Sequence, residues 1–541
     1  MLVSWTVVRE LILPVLLAIA LEMPVRVVGR DTLPEARDRE VVAFFEGPVQ
    51  RWELIIPEES LVELRQSPRD YARANLRIGN QKFSNVGIHI KGSAGSKRSV
   101  DDRPALTVKF NRFRKGQRAF GIEKLHLNNS VQDSSTLNEN FASRVYRQLG
   151  IPSTRATHAL LTVNGRDLGV YVVKESYDAD YIRRHFPEDS RRLGNLYEGG
   201  FVGDVDRKLQ RDAGQGPDDG SDLVRLRSAL ISPIDERLAA MNQSLDVDRF
   251  MMLASIQLLL DDRDGYVRNR NNYRIYFRGT DGRALFLPSG MDQWLMHADS
   301  PIRDAWTGMV AQSLLGMPDQ RIRLREHMRT LVGGPLSETN LVRIATQLQS
   351  RLEDIAEQLN ESDRSRLVAN RTDLPSRIRR RLAVVHRELA EWPDPMAPWP
   401  AGKTLSPSGW GLMVQTGSAR SRTNQPAAGV SRTLYFVVEK PETRASFRTT
   451  VTLPYGKYRL VARCRCQRLE AFEDRFGRGA SIRITGSTAT GISRMEGDRD
   501  WTQLTFDFEQ PDDGPVELIA EVRANRGDAW FDLNSIRVEA R

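Results

Sequence analysis

The sequence contains only two cysteines in 541 residues, Cys464 and Cys466. In a β-strand, two residues that lie two positions apart point to the same face, and a disulfide across that spacing is geometrically strained. We therefore expect two free thiols. No histidine or third cysteine lies near them in the sequence, which argues against a metal site built on this pair. So small a number of cysteines neither requires nor excludes an oxidising compartment.

Long blocks of like charge are also missing, although the chain carries a formal net charge of +9. Basic tails that bind nucleic acid consist of such blocks, so we expect no nucleic-acid partner. The basic surface is compatible with anionic partners such as ATP, acidic polysaccharide or anionic lipid. With 40% hydrophobic and 28% charged residues, the composition is that of an ordinary globular protein. Its length suits two or three domains.

Several common catalytic motifs are absent. The seven histidines are scattered and show no H-E-x-x-H spacing, so we interpret them as structural rather than as zinc ligands. The chain has no G-x-S-x-G sequence for a serine nucleophile. It also has no Walker A sequence, because "KGSAGSK" lacks the G-x4-G-K-[ST] spacing. These absences argue against zinc proteases, α/β-hydrolases and P-loop enzymes.

One apolar run stands near the N-terminus, "LILPVLLAIAL" at residues 11–21. It has the length of a signal peptide and is short for a transmembrane helix. We therefore assign residues 1–45 to a signal or membrane-anchor segment with its linker, and we expect an exported, extracytoplasmic or cell-surface protein. Cleavage and retention as an uncleaved anchor both stay open, because Glu10 and Pro14 interrupt the pattern and no small-x-small cleavage site follows.

The rest of the chain predicts two folded domains joined by a linker. In residues 46–392, alternating runs such as "PALTVKFNRF" predict strands, "THALLTVNGRDLGVYVVKES" predicts a hairpin and "SSTLNENFASRVYRQLG" predicts an amphipathic helix. "WPDPMAPWPAG" is rich in proline and predicts a stiff linker at residues 393–404. Residues 405–541 consist of short alternating runs, which is typical of an antiparallel β-sandwich of the jelly-roll kind. The overall class is multidomain α+β.

The stretch "DRDGYVRNRNNYRIYF" places polar residues directly before a predicted strand. Asp264 and Asn269 are five residues apart, as are the catalytic Asp and the metal-binding Asn of a protein-kinase catalytic loop. Asp292, at the end of the next predicted strand, is placed to bind the same metal ions. Carboxylate and amide oxygens are the ligands that Mg²⁺ prefers. Together the three residues predict a site for phosphate transfer.

A kinase also needs a lysine that contacts the ATP phosphates and a helix glutamate that orients it. Lys109 lies on the predicted strand after the Gly/Ser loop "KGSAGS", and Glu139 lies on the next predicted helix. We assign these two residues as the pair because of their order in the chain. A solvated strand lysine and a surface helix glutamate remain an equally open interpretation.

A series of motifs surrounds these residues: "IHIKGSAGS", "LTVKFNRF", "LHLNNSVQDSSTLNENF", "LTVNGRDLGVYVVKESYD", "GNLYEGG", "DGYVRNRNNYRIYF" and "FLPSGMDQW". In this order they resemble the CotH kinase family, named for the spore coat protein H. The resemblance covers about residues 86–295 and extends to the end of the helical region near residue 392. It implies an atypical, secreted, protein-kinase-like fold that uses ATP and Mg²⁺ or Mn²⁺ to phosphorylate Ser or Thr hydroxyls of proteins.

The resemblance also assigns roles to single residues. It implies that Asp264 is the catalytic base and that Asp292 and Asn272 bind the metal. Asn272 competes with Asn269, the residue chosen by spacing, and both stay candidates. Glu175, at the end of the hairpin "GVYVVKE", is expected near the adenine between the two lobes.

One departure from the family pattern leaves two functions open. Many relatives carry a Trp-Asp-x-Asp sequence at the second acidic site, where this chain has Ser289 and Gly290. One acidic metal ligand is therefore missing. The first interpretation is an active kinase for an extracytoplasmic or surface protein. The alternative is a catalytically degenerate, kinase-like surface or structural binding protein.

The C-terminal domain resembles, more loosely, the carbohydrate-binding jelly rolls of exported enzymes, on "LPYGKYRLVARCR" and "GDAWFDLNSIRVE". The resemblance implies a glycan partner, with Trp410 and Trp501 as candidates for stacking on sugar rings. A plain interaction module, with both tryptophans in the core or at its rim, is the competing interpretation. An exported enzyme that acts on polysaccharide is a third function, suggested by this domain alone.

Overall fold

The computed structural model describes residues 36–541 except residues 93–94, 304–305, 394–395, 424–425, 473–477, 488–492 and 512. The chain divides into two compact units. Among the described residues, the first unit contains residues 36–314 together with Arg323–Glu391, and the second contains Leu315–Ile322 and Trp392–Arg541. The division after Glu391 lies next to the predicted boundary at residue 392. The apolar run at residues 11–21 lies outside the described residues.

Seven strands of the first unit close into a barrel: β1 (Gln50–Ile55), β2 (Ala72–Ile78), β3 (Gln81–Lys91), β4 (Ala105–Lys109), β5 (Lys124–Asn128), β6 (Ala156–Val163) and β7 (Arg166–Glu175). Their order around the barrel is β1-β2-β3-β4-β5-β7-β6. β1 pairs with β6 in parallel, and the other neighbouring pairs are antiparallel.

Alternating side chains give the barrel strands two different faces. Leu106, Leu127 and Val173 belong to one buried apolar cluster, which fills the barrel interior. On each strand, the residues directly before and after these inward-facing residues point to the opposite side, because successive side chains of a strand alternate. We call this side the outer face. On β4, β5 and β7 it carries polar residues, and these build the candidate site.

The turn between β6 and β7 confirms the predicted hairpin. Asn164 and Gly165 have φ values of 48° and 79°. Two consecutive positive φ angles are the requirement of a type I′ turn, which Asn-Gly meets at low cost.

Residues 36–45, predicted to belong to the segment before the first domain, lie in helix α1 (Ala36–Glu46). Val41, Phe44 and Phe45 of this helix belong to the apolar cluster of the barrel. The helix is therefore part of the first unit.

A second sheet follows in the first unit: β8 (Leu196–Glu198), β9 (Gln210–Ala213), β10 (Tyr273–Phe277) and β11 (Ala284–Pro288). Its order is β11-β10-β8-β9, and all three pairings are antiparallel. The strand predicted within "DRDGYVRNRNNYRIYF" and the next predicted strand, which precedes Asp292, are thus confirmed as the neighbours β10 and β11. Their pairing brings the chain before β10 next to the chain after β11.

Helices make up most of the remaining first unit, and they dominate its C-terminal part as predicted. Two short 3₁₀ turns, Pro187–Asp189 and Ala356–Gln358, lie among them. The remaining helices of the described residues are α2 (Glu58–Gln66), α3 (Asn138–Gln148), α4 (Ala179–His185), α5 (Ser221–Leu230), α6 (Ile234–Ser244), α7 (Val247–Leu259), α8 (Tyr266–Asn269), α9 (Met309–Leu315), α10 (Pro318–Gly333), α11 (Glu338–Glu353), α12 (Glu361–Ala369) and α13 (Asp373–Glu391). The residues of α9 and α10 that fall within Leu315–Ile322 belong to the second unit. Within the described residues, no helix combines the length and the apolar character needed to cross a bilayer.

The described part of the second unit contains ten strands, and all their pairings are antiparallel. The strands are β12 (Thr404–Leu405), β13 (Gly411–Thr416), β14 (Ala419–Thr423), β15 (Thr433–Val438), β16 (Thr443–Leu453), β17 (Gly456–Ala471), β18 (Gly479–Ile484), β19 (Arg494–Met495), β20 (Gly497–Gln510) and β21 (Gly514–Ala540).

The long strand β21 belongs to two layers of this unit. Its first half pairs with β16 and β18, and its second half pairs with β15 and β17. The rings of Phe447 on β16 and Phe436 on β15 lie 4.8 Å apart between their centroids, in one shared apolar cluster. The two layers therefore face each other across a common core, as in a sandwich.

The predicted mixture of helices and sheets is confirmed, while the kinase-like character of the first unit stays a prediction.

Candidate functional site

The first turn of α3 fixes the loop that follows β11. Asp133 Oδ2 accepts a hydrogen bond from the Asn138 N–H at 2.8 Å. A carboxylate is favourable at this position because a helix N-terminus carries free N–H groups and a positive dipole end. The Asn138 side chain in turn donates from Nδ2 to the carbonyl oxygens of Asp292 at 2.8 Å and Trp294 at 3.2 Å. Asp292 is thereby tied to the helix end.

Glu139, the next residue of α3, joins two further elements. Its Oε1 accepts a hydrogen bond from Lys174 Nζ on β7, and its Oε2 accepts from the Met291 N–H at 3.1 Å. Glu139 is 2% exposed and Lys174 is 5% exposed. Removing one partner of such a buried ion pair costs about 3–5 kcal/mol, since the other charge stays behind without compensation. Glu139 is thus the paired helix glutamate that the sequence predicted, although the pair is formed with Lys174.

The predicted pair between Lys109 and Glu139 is not formed, and strand register explains why. Lys109 lies opposite Lys124 of β5, whereas Lys174 lies opposite His126 of the same strand. These two positions on β5 are two residues apart, which corresponds to about 7 Å along a strand. Lys109 therefore stands one row of side chains away from Lys174. Chain order alone could not distinguish the two lysines.

The loop between α7 and β10 holds Asp264 by both carboxylate oxygens. Asn271 Nδ2 donates to Asp264 Oδ1 at 3.0 Å, and Asn272 Nδ2 donates to Asp264 Oδ2 at 2.9 Å. Asn272 Nδ2 also donates to the Gly290 carbonyl oxygen at 2.8 Å. Asn272 therefore links the predicted catalytic base to the segment that carries Asp292.

The structure separates the two candidate asparagines. Asn269 ends the short helix α8 with an exposed side chain. Asn272 has a φ of 46°, a left-handed conformation that asparagine tolerates better than most residues, and its amide contacts Asp264. Asn272 is thus the asparagine that lies in the candidate site, as the family resemblance implied, and Asn269 lies outside it.

Asp292 is half-buried beside the ion pair of Glu139 and Lys174. Burial, and then the negative charge of Glu139, raise the pKa of Asp292 to about 7, although Lys174 acts in the opposite direction. A carboxyl group with a strongly shifted pKa that lies next to other charged groups is typical of functional sites.

Asp292 and Asn272 fit a Mg²⁺ ion that takes the rest of its ligands from a substrate and from water. Mg²⁺ is commonly held by one or two carboxylates together with substrate phosphates and water, and Asp292 and the Asn272 amide oxygen supply donors of that kind. Within the described residues, no group of three or more His, Cys, Asp or Glu side chains is arranged to hold a metal ion. A complete protein cage is therefore not present in that part of the chain.

Gly290 gives a physical reason for the missing carboxylate. Its φ is 59°, and a Cβ atom there would lie 2.7 Å from Asn272 Cγ. The Asn272 amide occupies the space that any side chain at position 290 would need. Glycine therefore stands here in place of the aspartate of the family pattern, because it leaves room for the Asn272 amide.

Glu175 lies next to Lys174 in a separate, closed ion cluster. Arg184 Nη2 donates to Glu175 Oε1 at 2.9 Å, and the Arg155 N–H donates to Oε2 at 2.8 Å. Burial raises the pKa of Glu175, but Arg155 and Arg184 outweigh burial and hold the pKa below its usual value. With 0% exposure, this carboxylate is already neutralised by protein groups. A contact with adenine stays a prediction.

Sequence reasoning missed Lys174 and also Lys91 and Asn128 of the outer face. One signal was available. Lys174 ends an otherwise apolar run, "GVYVVK", and a lysine in a buried strand needs a charged or polar partner. Lys91 and Asn128 lie at strand ends, where a polar residue is common, so the sequence offered no comparable signal for them.

The tryptophans of the second unit occupy different environments. Trp410 is partly buried against the apolar cluster. Trp501 donates from Nε1 to the Ala428 carbonyl oxygen at 3.2 Å, and the Arg463 guanidinium lies 5.7 Å from the centroid of its ring. Trp530 stacks on Tyr435 with centroids 4.9 Å apart. A role for Trp410 or Trp501 in glycan binding stays a prediction.

Solved structures with similarity to this chain include carbohydrate-binding modules. TmCBM61 in complex with β-1,4-galactotriose is 11% identical, covers 25% of this chain and 90% of its own length, and gives a TM-score of 0.19. A family 35 carbohydrate-binding module from Clostridium thermocellum is 13% identical, covers 24% of this chain and 92% of its own length, and gives a TM-score of 0.17. The tailspike protein 4 domain of bacteriophage CBA120 is 16% identical, covers 25% of this chain and 20% of its own length, and gives a TM-score of 0.19. Scores this low support no conclusion about a ligand.

Sequence comparison gives a firmer result for the first unit. The inner spore coat protein H of Bacillus subtilis (strain 168) is 22% identical over 254 residues, which are 44% of this chain and 67% of that protein. The family model described as CotH kinase protein matches residues 88–383. This match spans more than half of the 541 residues and includes the ion pair of Glu139 and Lys174 as well as the loop of Asp264. The chain therefore belongs to the CotH kinase protein family.

Proposed function

We propose that this protein is an exported kinase that transfers the γ-phosphate of ATP to a Ser or Thr hydroxyl of an extracytoplasmic or surface protein. The observation that carries the proposal is the connected set of hydrogen bonds from Asp264 through Asn272 to Gly290, and from Met291 through Glu139 to Lys174. It joins a base, a polyphosphate-binding lysine and a half-buried acid in one place. Phosphoryl transfer needs these groups and little covalent chemistry by the protein.

In this proposal Asp264 accepts the proton of the attacking hydroxyl. Asn271 and Asn272 hold its two carboxylate oxygens, so the carboxylate does not have to reorient during the reaction, and such preorganisation lowers the barrier. Lys174, oriented by Glu139, binds phosphate oxygens. When it is bound, Mg²⁺ or Mn²⁺ supplies positive charge that neutralises the charge developing on those oxygens. Asp292 and Asn272 are the residues that would hold the ion.

The test is transfer of label from γ-labelled ATP to the protein itself or to a generic Ser/Thr protein, with the full chain and Mg²⁺ or Mn²⁺. Asp264→Asn and Asp292→Asn are expected to lose at least about a hundredfold in rate, as is typical when one group that stabilises a transition state is removed. Asp299→Asn, an exposed aspartate of the segment after β11, is the matched control and is expected to keep wild-type activity. Equal labelling by all four proteins would contradict the proposed roles.

A second candidate function is supported by Gly290 and by the incomplete set of acidic ligands among the described residues. In this case the first unit binds nucleotide, or a partner, without transfer. The two functions differ in one measurement. ATP with Mg²⁺ that raises the midpoint of thermal unfolding, without any labelled product in the presence of several acceptor proteins, would favour the binding protein over the kinase.

A further inference from the structure

Lys91 is the last residue of β3 and lies on the outer face near the ion pair of Glu139 and Lys174. Its partner across the β3–β4 ladder is Ala105, whose small side chain leaves the lysine free to lie flat over β4. Lys91 Nζ reaches the next strand, β5, and donates to Asn128 Oδ1 at 2.8 Å. The lysine thus points along the barrel surface toward the candidate site rather than away into solvent.

Two other cations that act on Lys91 are already neutralised. Lys174 is paired with Glu139. Arg274 of β10 is paired with Glu198 at 2.8 Å and with Asp212 at 2.8 Å. Both cations act on the charge of Lys91.

Lys91 itself has a neutral amide as its hydrogen-bond partner. Among the described residues, no carboxylate oxygen lies within 4.0 Å of Lys91 Nζ, so the lysine forms no ion pair there. A partly buried ammonium group without an anionic partner is unfavourable. Of Lys91, Lys174 and Arg274, only Lys91 therefore has no carboxylate partner among the described residues. An incoming anion would balance its charge.

We propose that Lys91 is a second anion-binding lysine of this site, which binds the polyphosphate group of the nucleotide next to Lys174. The nature of the anion rests on the proposed function, whereas the presence of an anion-binding lysine rests on the geometry of β3 and β5. Two lysines on neighbouring rows of one sheet face suit an extended polyphosphate better than a single phosphate, because each lysine can take a different phosphate group.

The titration of Lys91 agrees with this role. Burial, and then the positive charge of Lys174, lower the pKa of Lys91 to about 7. The other charged groups that face it are Glu139, Asp292 and Arg274. His126 of β5 is also near and stays neutral, because burial, and then the charge of Lys91, lower its pKa well below the usual value. A bound polyphosphate favours the charged form of Lys91. The affinity of the protein for polyphosphate is therefore expected to fall as the pH rises from 6.5 to 8.5.

The test is isothermal titration of the full chain with inorganic tripolyphosphate, in the absence of divalent metal, at pH 6.5 and pH 8.5. Lys91→Met keeps the length of the side chain and removes the charge. We expect it to weaken binding at pH 6.5 by about 10- to 100-fold, the usual loss for one charge-assisted hydrogen bond. Lys91→Arg, whose charge does not titrate in this range, is expected to lose less affinity between pH 6.5 and pH 8.5 than the wild type, and the loss that remains is the part due to Asp292, whose pKa is about 7. Lys82→Met, at the exposed opposite end of β3, is the matched control and is expected to bind like the wild type.

The possible outcomes separate this inference from the proposed kinase activity. If the wild type binds tripolyphosphate and only Lys91→Met loses affinity, Lys91 has the proposed role even if no labelled product forms from ATP. If Lys91→Met binds as tightly as the wild type and keeps the same midpoint of thermal unfolding, the inference is wrong. It is also wrong if the wild type itself binds no tripolyphosphate at millimolar concentration.

Discussion

Each of the two units contains a buried glutamate surrounded by cations, and the two surroundings differ. In the second unit, Glu521 accepts two hydrogen bonds from Arg483, at 2.9 and 3.0 Å, and one from Arg523 at 3.0 Å. In the first unit, Glu139 accepts one from Lys174 and one from a backbone N–H. Both glutamates are 2% exposed, so burial alone does not distinguish them.

The difference lies in what surrounds each pair. Burial raises the pKa of Glu521, but Arg483 and Arg523 outweigh it and hold the pKa below its usual value, as expected for a carboxylate whose charge is fully compensated. Near Glu139, the pKa values of Asp292 and Lys91 are both shifted to about 7. A compensated cluster stabilises the fold, whereas a cluster with strongly shifted groups still has room for a charged ligand. The comparison therefore supports the Glu139 cluster as the candidate site and leaves its function a proposal.

Lys174→Met is expected to have the largest effect on activity and so to test the difference between the Glu139 and Glu521 clusters most directly. Loss of this lysine should lower the rate of phosphate transfer by about a thousandfold, because a preorganised charge that stabilises the transferring phosphoryl group is removed. Steady-state kinetics with labelled ATP measures the effect. Lys109→Met is the matched control, since Lys109 lies on the same face one row away, and it is expected to change the rate by less than about twofold. The reverse result would restore Lys109 as the lysine that contacts the phosphates.

The second effect should appear in stability rather than in activity. Glu521→Gln removes the carboxylate charge that Arg483 and Arg523 contact in the core and is expected to lower the free energy of unfolding of the second unit by about 3 kcal/mol. Urea unfolding followed by circular dichroism measures the loss. Phosphate transfer by the folded protein should stay within about twofold of the wild type. A large loss of activity without loss of stability would break the distinction between the two clusters.

The same variant carries a pH dependence with a defined sign. The pKa of Glu521 is lower in the folded state than in the unfolded state, so its charge adds stability above the unfolded pKa, and this contribution is lost as the pH falls through the folded pKa. Glutamine mimics the protonated glutamate. The difference in stability between wild type and Glu521→Gln should therefore be full at pH 7 and shrink when the pH is lowered below the usual pKa of a glutamate.

Sequence reasoning reached the elements of the site and several of its residues, because these depend on local patterns. The Asn-Gly turn, the helix α3 and the strands around "NYRIYF" are local, and the roles of Asp264 and Asn272 followed from motifs. The partner of Glu139 depends on the register between β4, β5 and β7, which joins residues far apart in sequence. Periodicity does not fix that register. For the same reason the sequence did not reveal that Lys91 reaches Asn128 across β4.

A third effect concerns Glu175, the neighbour of Lys174 on β7. Its closed contacts with Arg155 and Arg184 place it with Glu521 rather than with Glu139. Glu175→Gln is therefore expected to lower the free energy of unfolding by about 2 kcal/mol and to change the KM for ATP by less than about twofold. A tenfold rise in KM at unchanged stability would instead support the contact with adenine that the sequence suggested.

The smallest expected effect comes from adding one methyl group at Gly290. In Gly290→Ala the new Cβ would lie 2.7 Å from Asn272 Cγ, on a backbone with a φ of 59°. The strain of this φ and the displaced amide together should cost about 1–2 kcal/mol, and Asn272 would lose its contact with Asp264. We expect a roughly tenfold lower transfer rate at a slightly lower midpoint of unfolding. Gly200→Ala, in the loop after β8, is the control, because a Cβ there meets no atom within 4 Å. If Gly290→Ala kept full activity, Asn272 would not be needed where the structure places it, and its contact with Asp264 would not be part of the reaction.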